Sequence, residues 1–216
     1  MFSNSNLPFE TIIYVLYWWS HSRSTPFSLM IKEQEGLTPA TTTRWRNKLL
    51  QLVARDLRNE PVLIGGPGFR VAVDETKFKG KTVLGGICWE SGEVFVCVIP
   101  DLSRGTIFRK LREYVLPGSE VHTDGFASYA TLAYIRGAHY FHKVVIHSRE
   151  FKNRRTGACT NTIESVWAVM KQWASEERGF SRGRLETFLE EVMWRSRQHG
   201  DIFEAVLALV RRFHPV

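Results

Sequence analysis

A mixed α/β fold, with a sheet flanked by helices and a helical region ahead of it, is what this sequence predicts, and three observations carry the prediction. Apolar residues recur at helix spacing before residue 60. Three short runs rich in β-branched residues, parted by turn residues, follow between 69 and 100. Beyond them helical and strand-like segments alternate, the order expected of a sheet covered by helices. With 216 residues the chain can build one substantial core and a small helical attachment without a disulfide or metal staple.

The elements follow in order. Phe9, Ile12, Ile13, Leu16 and Tyr17 lie at helix spacing, and Pro26 breaks the run. A second helix begins at Thr38-Pro39, where Thr38 can cap and Pro39 suits the first turn. Over 41–57, Trp45, Leu49, Leu52 and Val53 form one stripe, with Arg44, Arg46 and Lys48 off it. By pattern, this region reads equally as the end of a helix-turn-helix or as a helical cap on the core. Gly65-Gly66-Pro67-Gly68 cannot continue a helix, so 61–68 is expected to be a loop or hinge.

Strands are predicted over 69–76, 82–89 and 93–100, the last two joined at Ser91-Gly92, which makes an antiparallel opening. A helix over 107–115 should end before Pro117-Gly118. A strand over 120–124, a helix over 127–135 and a strand over 140–147 come next, then a basic loop through Arg155-Thr156-Gly157. From Thr160 the chain reads as helical almost to its end. This order is that of a ribonuclease-H-like mixed sheet flanked by helices, with residues 1–60 as an N-terminal helical region and 61–216 as the main domain.

Composition narrows the class. Hydrophobic residues at 44% and charged residues at 24% are the balance of a globular chain rather than of a disordered or membrane one. Residues 9–19 are apolar but carry Glu10 and lack a basic start and a cleavage site, so a signal peptide is not expected. Cys88, Cys97 and Cys159 are an odd number without CxxC spacing, which argues for buried reduced thiols over a zinc ribbon or disulfide framework. The net charge of +7 rests on clusters such as Arg44-Arg46-Lys48, Lys77-Lys79-Lys81 and Lys152-Arg154-Arg155, and fits a polyanionic partner.

Three carboxylates stand where rigid elements would hold them. Asp74 lies late in a strand and shares a face with Ala72 and Thr76. Asp124 ends a short strand, and Gly125 lets the chain turn away and leave the side chain open. Glu164 lies in a helix where Asn161, Glu164, Ala168 and Lys171 share one face, while Ile163, Val166, Trp167 and Met170 point elsewhere and can pack. Two magnesium or manganese ions about 4 Å apart need hard oxygen ligands from several elements with coordination room left for water and phosphate, and two strands and a helix supply such a set. Lys171 would approach a phosphate as a point charge. Glu75 faces away from Asp74, which suits a structural role.

With these motifs in view, the chain resembles the Merlin superfamily of DNA transposases and the related bacterial insertion-sequence (ISXO2-like) DDE transposases. The matching stretches are Ile64-Gly65-Gly66-Pro67-Gly68, Val73-Asp74-Glu75-Thr76-Lys77-Phe78, His122-Thr123-Asp124-Gly125-Phe126-Ala127-Ser128-Tyr129, the run from Thr156 through Asn161-Thr162-Ile163-Glu164-Ser165-Val166-Trp167, and Leu189-Glu190-Glu191-Val192-Met193-Trp194-Arg195. The resemblance implies a DDE transposase that cuts terminal inverted repeats and joins the freed ends to target DNA. Asp74, Asp124 and Glu164 would be its catalytic, metal-binding triad, at spacings of 50 and 40 residues.

Some bacterial relatives use an asparagine at the third position, which makes Asn161 the alternative. Glu164 is preferred because an anionic oxygen binds magnesium better than an amide, and because Lys171 follows it by seven residues. His147 is an accessory candidate by the same resemblance. Arg44, Arg46, Lys48, Lys152, Arg154 and Arg155 are the expected contacts to double-stranded DNA, and positive charge should gather on the face that carries the acids. A homo-oligomer on DNA is expected, with no membrane and no small-molecule cofactor, in a nucleus or in bacterial cytoplasm according to source. The competing readings are a domesticated, catalytically silent DNA-binding protein and a nuclease or resolvase on the same fold.

Overall fold

A computed structural model describes residues 7–22, 37–145, 161–176 and 182–214. The expected break at Pro26, together with His147, Lys152, Arg154, Arg155 and Cys159, lies outside the described residues. The chain divides into two compact units, one of residues 61–171 and one of residues 1–60 with 172–216. No helix among the described residues is long and apolar enough to cross a membrane.

The second of these units contains helices α1 (Phe9–His21) and α2 (Pro39–Asn59). The Thr38 hydroxyl accepts the Thr41 N–H at 3.2 Å and Pro39 opens α2, as the Thr-Pro pair predicts. The predicted stripe of Trp45, Leu49, Leu52 and Val53 is buried, and Trp19 and Leu16 of α1 are buried as well. Two later helices, α5 (Leu185–Ser196) and α6 (Ile202–Phe213), pack against α2 and α1. Asp56 of α2 ties them together, accepting Trp194 Nε1 at 3.1 Å and the Arg212 guanidinium at 2.6 Å.

The unit of residues 61–171 is built on a five-stranded sheet whose strands lie in the spatial order 94–99, 81–88, 70–78, 120–124 and 141–145. Strands β2 (Arg70–Phe78), β3 (Lys81–Cys88) and β4 (Val94–Ile99) form the antiparallel opening. Strand β6 (Glu120–Asp124) runs parallel beside β2, and β7 (Phe141–Val145) runs parallel beside β6. The expected mixed sheet is therefore present. The 61–68 loop holds a short strand, β1 (Ile64–Gly65), which pairs in parallel with β5 (Val115–Leu116). Its glycines are demanded by geometry: Gly65 has φ +84°, and a Cβ there would stand 2.4 Å from the Ser119 hydroxyl, which accepts the Gly66 N–H.

The predicted helix over 127–135 is instead two 3₁₀ turns, Ala127–Tyr129 and Leu132–Tyr134. Tertiary bonds override the helical pattern here. Ser128 donates to the Leu102 carbonyl at 2.7 Å, and Tyr129 and Leu132, three residues apart, are both drawn into the core. The helix over 107–115 begins earlier, as α3 (Arg104–Tyr114), capped by Ser103, whose hydroxyl accepts the Thr106 N–H.

Consecutive glycines on β3 let aromatic rings approach the sheet closely on both faces. A Cβ at Gly85 would fall 2.4 Å from the Trp167 ring of α4 (Asn161–Glu176), and one at Gly86 would fall 2.4 Å from the Phe95 ring. Phe95 stacks at 5.1 Å on Tyr114 of α3. Because neighbouring residues of a strand face opposite ways, Trp167 and the Phe95–Tyr114 pair cover opposite faces. Gly85→Ala is expected to cost about 1–3 kcal/mol, the usual penalty of overpacking. The check is urea unfolding, read beside tryptophan fluorescence that reports displacement of Trp167.

Cys88 and Cys97 are free and buried, as expected. Burial pushes the Cys97 thiol up to about 12, so hardly any thiolate exists at pH 8. The native protein should leave Cys97 unalkylated by iodoacetamide until denaturant is added. Mass spectrometry of digested protein checks this, and rapid native labelling at Cys97 would refute it.

Candidate active site

The sheet register brings two of the predicted acids together. Asp74 lies opposite Gly85 on β3, and Ala72 on the same face of β2 lies beside His122 of β6. Two residues beyond that last pair on each strand, Asp74 and Asp124 stand on the same face, within electrostatic reach of each other. Gly85 shares that face, so Trp167 and its helix cover it.

Each acid is held differently. Asp74 is half-buried, and its Oδ2 accepts the Trp167 indole N–H at 3.0 Å. Burial raises its pKa first of all; the Trp167 bond and the Glu75 backbone bond oppose this, and the charges of Asp124 and Glu164 raise it further. Asp124 is half-buried, with Oδ1 accepting the Phe126 N–H at 2.9 Å, an Asx-type turn that fixes the carboxylate at the strand end. Glu164 is exposed in the first turn of α4, near enough for its charge to reach Asp74.

The predicted stripe on α4 is present: Asn161, Glu164, Ala168 and Lys171 are exposed, while Ile163, Trp167 and Met170 are buried. Trp167, read from the sequence as a packing residue only, also positions Asp74. The signal available was a single indole three residues beyond Glu164. Nothing in the local pattern shows what its N–H reaches, since Asp74 is 93 residues away in sequence.

Glu75 alternates with Asp74 and takes the other face. Its carboxylate accepts the hydroxyl of buried Tyr129. Burial raises the Glu75 pKa, with Asp74 and Asp124 adding to the rise against the Tyr129 bond. Burial, then the Glu75 charge, pushes the Tyr129 phenol well above its ordinary value, so it stays a donor. This matches the structural role expected of Glu75.

A polar cluster that the sequence reading missed shares the acidic face one step back along the strands. Glu120 bridges His122 Nε2 at 2.7 Å and the Lys143 ammonium at 2.8 Å. Arg70 pairs with Glu90 at 2.7 Å and lies over the Trp89 ring. Burial works to raise Glu120, but the bonds from Lys143 and His122 prevail and hold it below its ordinary range. Burial lowers His122 despite Glu120, which keeps the ring neutral near pH 7. The cluster joins three strands and the turn after β3, so only the tertiary fold assembles it.

The three carboxylates are hard oxygen donors of like charge within electrostatic reach, the donor chemistry that suits divalent cations. Among the described residues no three His, Cys, Asp or Glu side chains are gathered closely enough to enclose an ion, and Glu164 is exposed. The expected DNA contacts on α2 do not form one uniform strip. Arg44 is exposed, Arg46 stands 3.8 Å from Glu191 with a side chain only 15% exposed, and Lys48 lies 5.0 Å over the Trp45 ring.

Comparison with known proteins adds two findings. Over 103 residues the chain is 29% identical to an uncharacterized transposase-like protein of Haemophilus influenzae, an alignment covering 48% of this chain and 80% of that protein. The model of the ISXO2-like transposase domain matches residues 68–197, a span that holds Asp74, Asp124 and Glu164 with the whole five-stranded sheet. By that match, over more than half its length, the chain belongs to the ISXO2-like transposase domain family.

Proposed function

We propose that this protein is a DDE transposase, an enzyme that cuts DNA at the terminal inverted repeats of a mobile element and joins the freed ends to a target. The observation that carries the reading is the placement of Asp74 and Asp124 on the sheet face that α4 covers, with the Glu164 charge in electrostatic reach of Asp74. The mixed strand order, with three antiparallel strands, two parallel ones and helices on both faces, supports a ribonuclease-H-like core of the Merlin type.

In this reading Asp74, Asp124 and Glu164 would hold two magnesium or manganese ions. When bound, such ions supply charge neutralisation at a phosphodiester undergoing in-line displacement. The chain's own residues set the stage. Trp167 orients Asp74 through its indole N–H, the turn at Gly125 orients Asp124, and the buried side of α4 holds Glu164 and Lys171 outward on one face. Lys171 contacts a phosphate of the DNA. Glu164 is the third acid in preference to Asn161, because an anionic oxygen binds magnesium better than an amide does.

The test is incubation of the protein and magnesium with labelled DNA carrying the inverted repeats that flank its own coding region. Cleavage at the repeat ends and joining to a second DNA are expected, and calorimetry should show magnesium binding that weakens in Asp74→Asn. Cleavage without joining would make it a nuclease. DNA binding with neither reaction, and no metal binding, would make it a silent DNA-binding descendant.

A further inference from the structure

We infer that a groove on the sheet face opposite the three acids holds a single-stranded segment of nucleic acid. The groove, of about 460 Å³, is lined by Gly105, Phe108, Arg109, Arg112, Tyr134 and Arg136, with Ile135 beneath. It belongs wholly to the unit of residues 61–171. Its helix is α3, which packs through Tyr114 on the face that Phe95 covers, away from Trp167 and Asp74.

Some of the protein's arginines are taken up by ion pairs. Arg70, Arg195, Arg197 and Arg212 each stand in an ion pair with a carboxylate. Among the described residues none of Arg109, Arg112 and Arg136 does, and the nearby Glu113 is taken by Lys110 at 2.8 Å. Asp101 feels Arg109 only at longer range. Three exposed guanidinium groups around one groove thus present unneutralised charge and planar donors suited to phosphate oxygens. On the acidic face, Arg70 and Lys143 are paired with Glu90 and Glu120.

Tyr134 selects the kind of strand. It is 85% exposed, an unusual position for an aromatic ring, and it stands among the arginines on the wall of the groove. A ring beside a line of phosphate donors is the arrangement that stacks on an unpaired base, whereas in a duplex the base faces are already stacked on each other. The occupant is therefore a single strand, lying apart from the DNA at the acids.

The experiment uses the whole chain and fluorescence anisotropy with a labelled 20-nucleotide single strand and a duplex of the same sequence. The variant Arg109→Gln, Arg112→Gln, Arg136→Gln should bind the single strand at least about tenfold more weakly. The slope of log affinity against log salt should fall by about 2, from roughly 0.7 per lost phosphate contact. Tyr134→Ala should weaken single-strand binding about tenfold and duplex binding little. Circular dichroism shows that the variants fold, and Arg112→Lys, which keeps the charge, should retain most of the affinity.

Triple-variant binding within twofold of wild type overturns the inference and leaves the proposed transposase activity standing. An arginine effect without a tyrosine effect overturns the single-strand assignment. Failure of the wild type to bind either DNA overturns the inference and the functional proposal together.

Discussion

Asp124→Asn is expected to lower DNA strand cleavage by about a thousandfold or more while leaving duplex affinity nearly unchanged. The substitution keeps the size of the side chain and an oxygen able to accept the Phe126 N–H, so the turn that ends β6 survives. It removes one negative charge from three like-charged donors. Divalent cations prefer anionic oxygen, and the several kcal/mol of charge stabilisation they supply at a reacting phosphate correspond to about three powers of ten in rate. Affinity rests on arginines and lysines spread over the surface, and loss of a repelling carboxylate should tighten it slightly. The check is parallel cleavage and anisotropy assays on the same preparation. Cleavage at the wild-type rate would remove Asp124 from the active site.

The second large effect is one of stability. Arg195→Met should destabilise the helical unit by about 3–5 kcal/mol, the cost of breaking a buried pair from one side. Arg195 and Glu191 are i, i+4 neighbours on α5 at 2.9 Å, with each side chain only 1% exposed. The guanidinium also donates to the carbonyls of Ser20 at 2.9 Å and Trp19 at 2.7 Å and lies over the Trp19 ring, so it closes the end of α1. Removing it strands the Glu191 carboxylate, whose other neighbour in reach is Arg46 at 3.8 Å. Replacing both partners, Arg195→Met with Glu191→Leu, should recover much of the loss, because no unpaired charge is then left inside. Urea unfolding of the four proteins measures the cycle, and a single variant as stable as wild type would show that the pair contributes little.

Much of this protein was legible in its residues. Periodicity and turn chemistry located α2 with its Thr38 cap, the antiparallel strands β2 to β4, the strand β6 to its ends, and the buried and exposed sides of α4, because each depends on contacts within a few residues. The nature of Asp74, Asp124 and Glu164 as candidates was equally local: a strand, a strand end before glycine, a helix face.

What the residues left open was decided between distant segments. The register of β2 against β6 brings Asp74 within electrostatic reach of Asp124, and Gly85 admits the Trp167 ring that orients Asp74. Tyr129 and Leu132 trade a helix for 3₁₀ turns in order to reach the core and Glu75. The grouping of residues after 171 with the first sixty follows from apolar faces on α5 and α6 that find partners on α1 and α2. Burial is non-directional, so a hydrophobic stripe announces that it will be covered and only the folded chain shows by what.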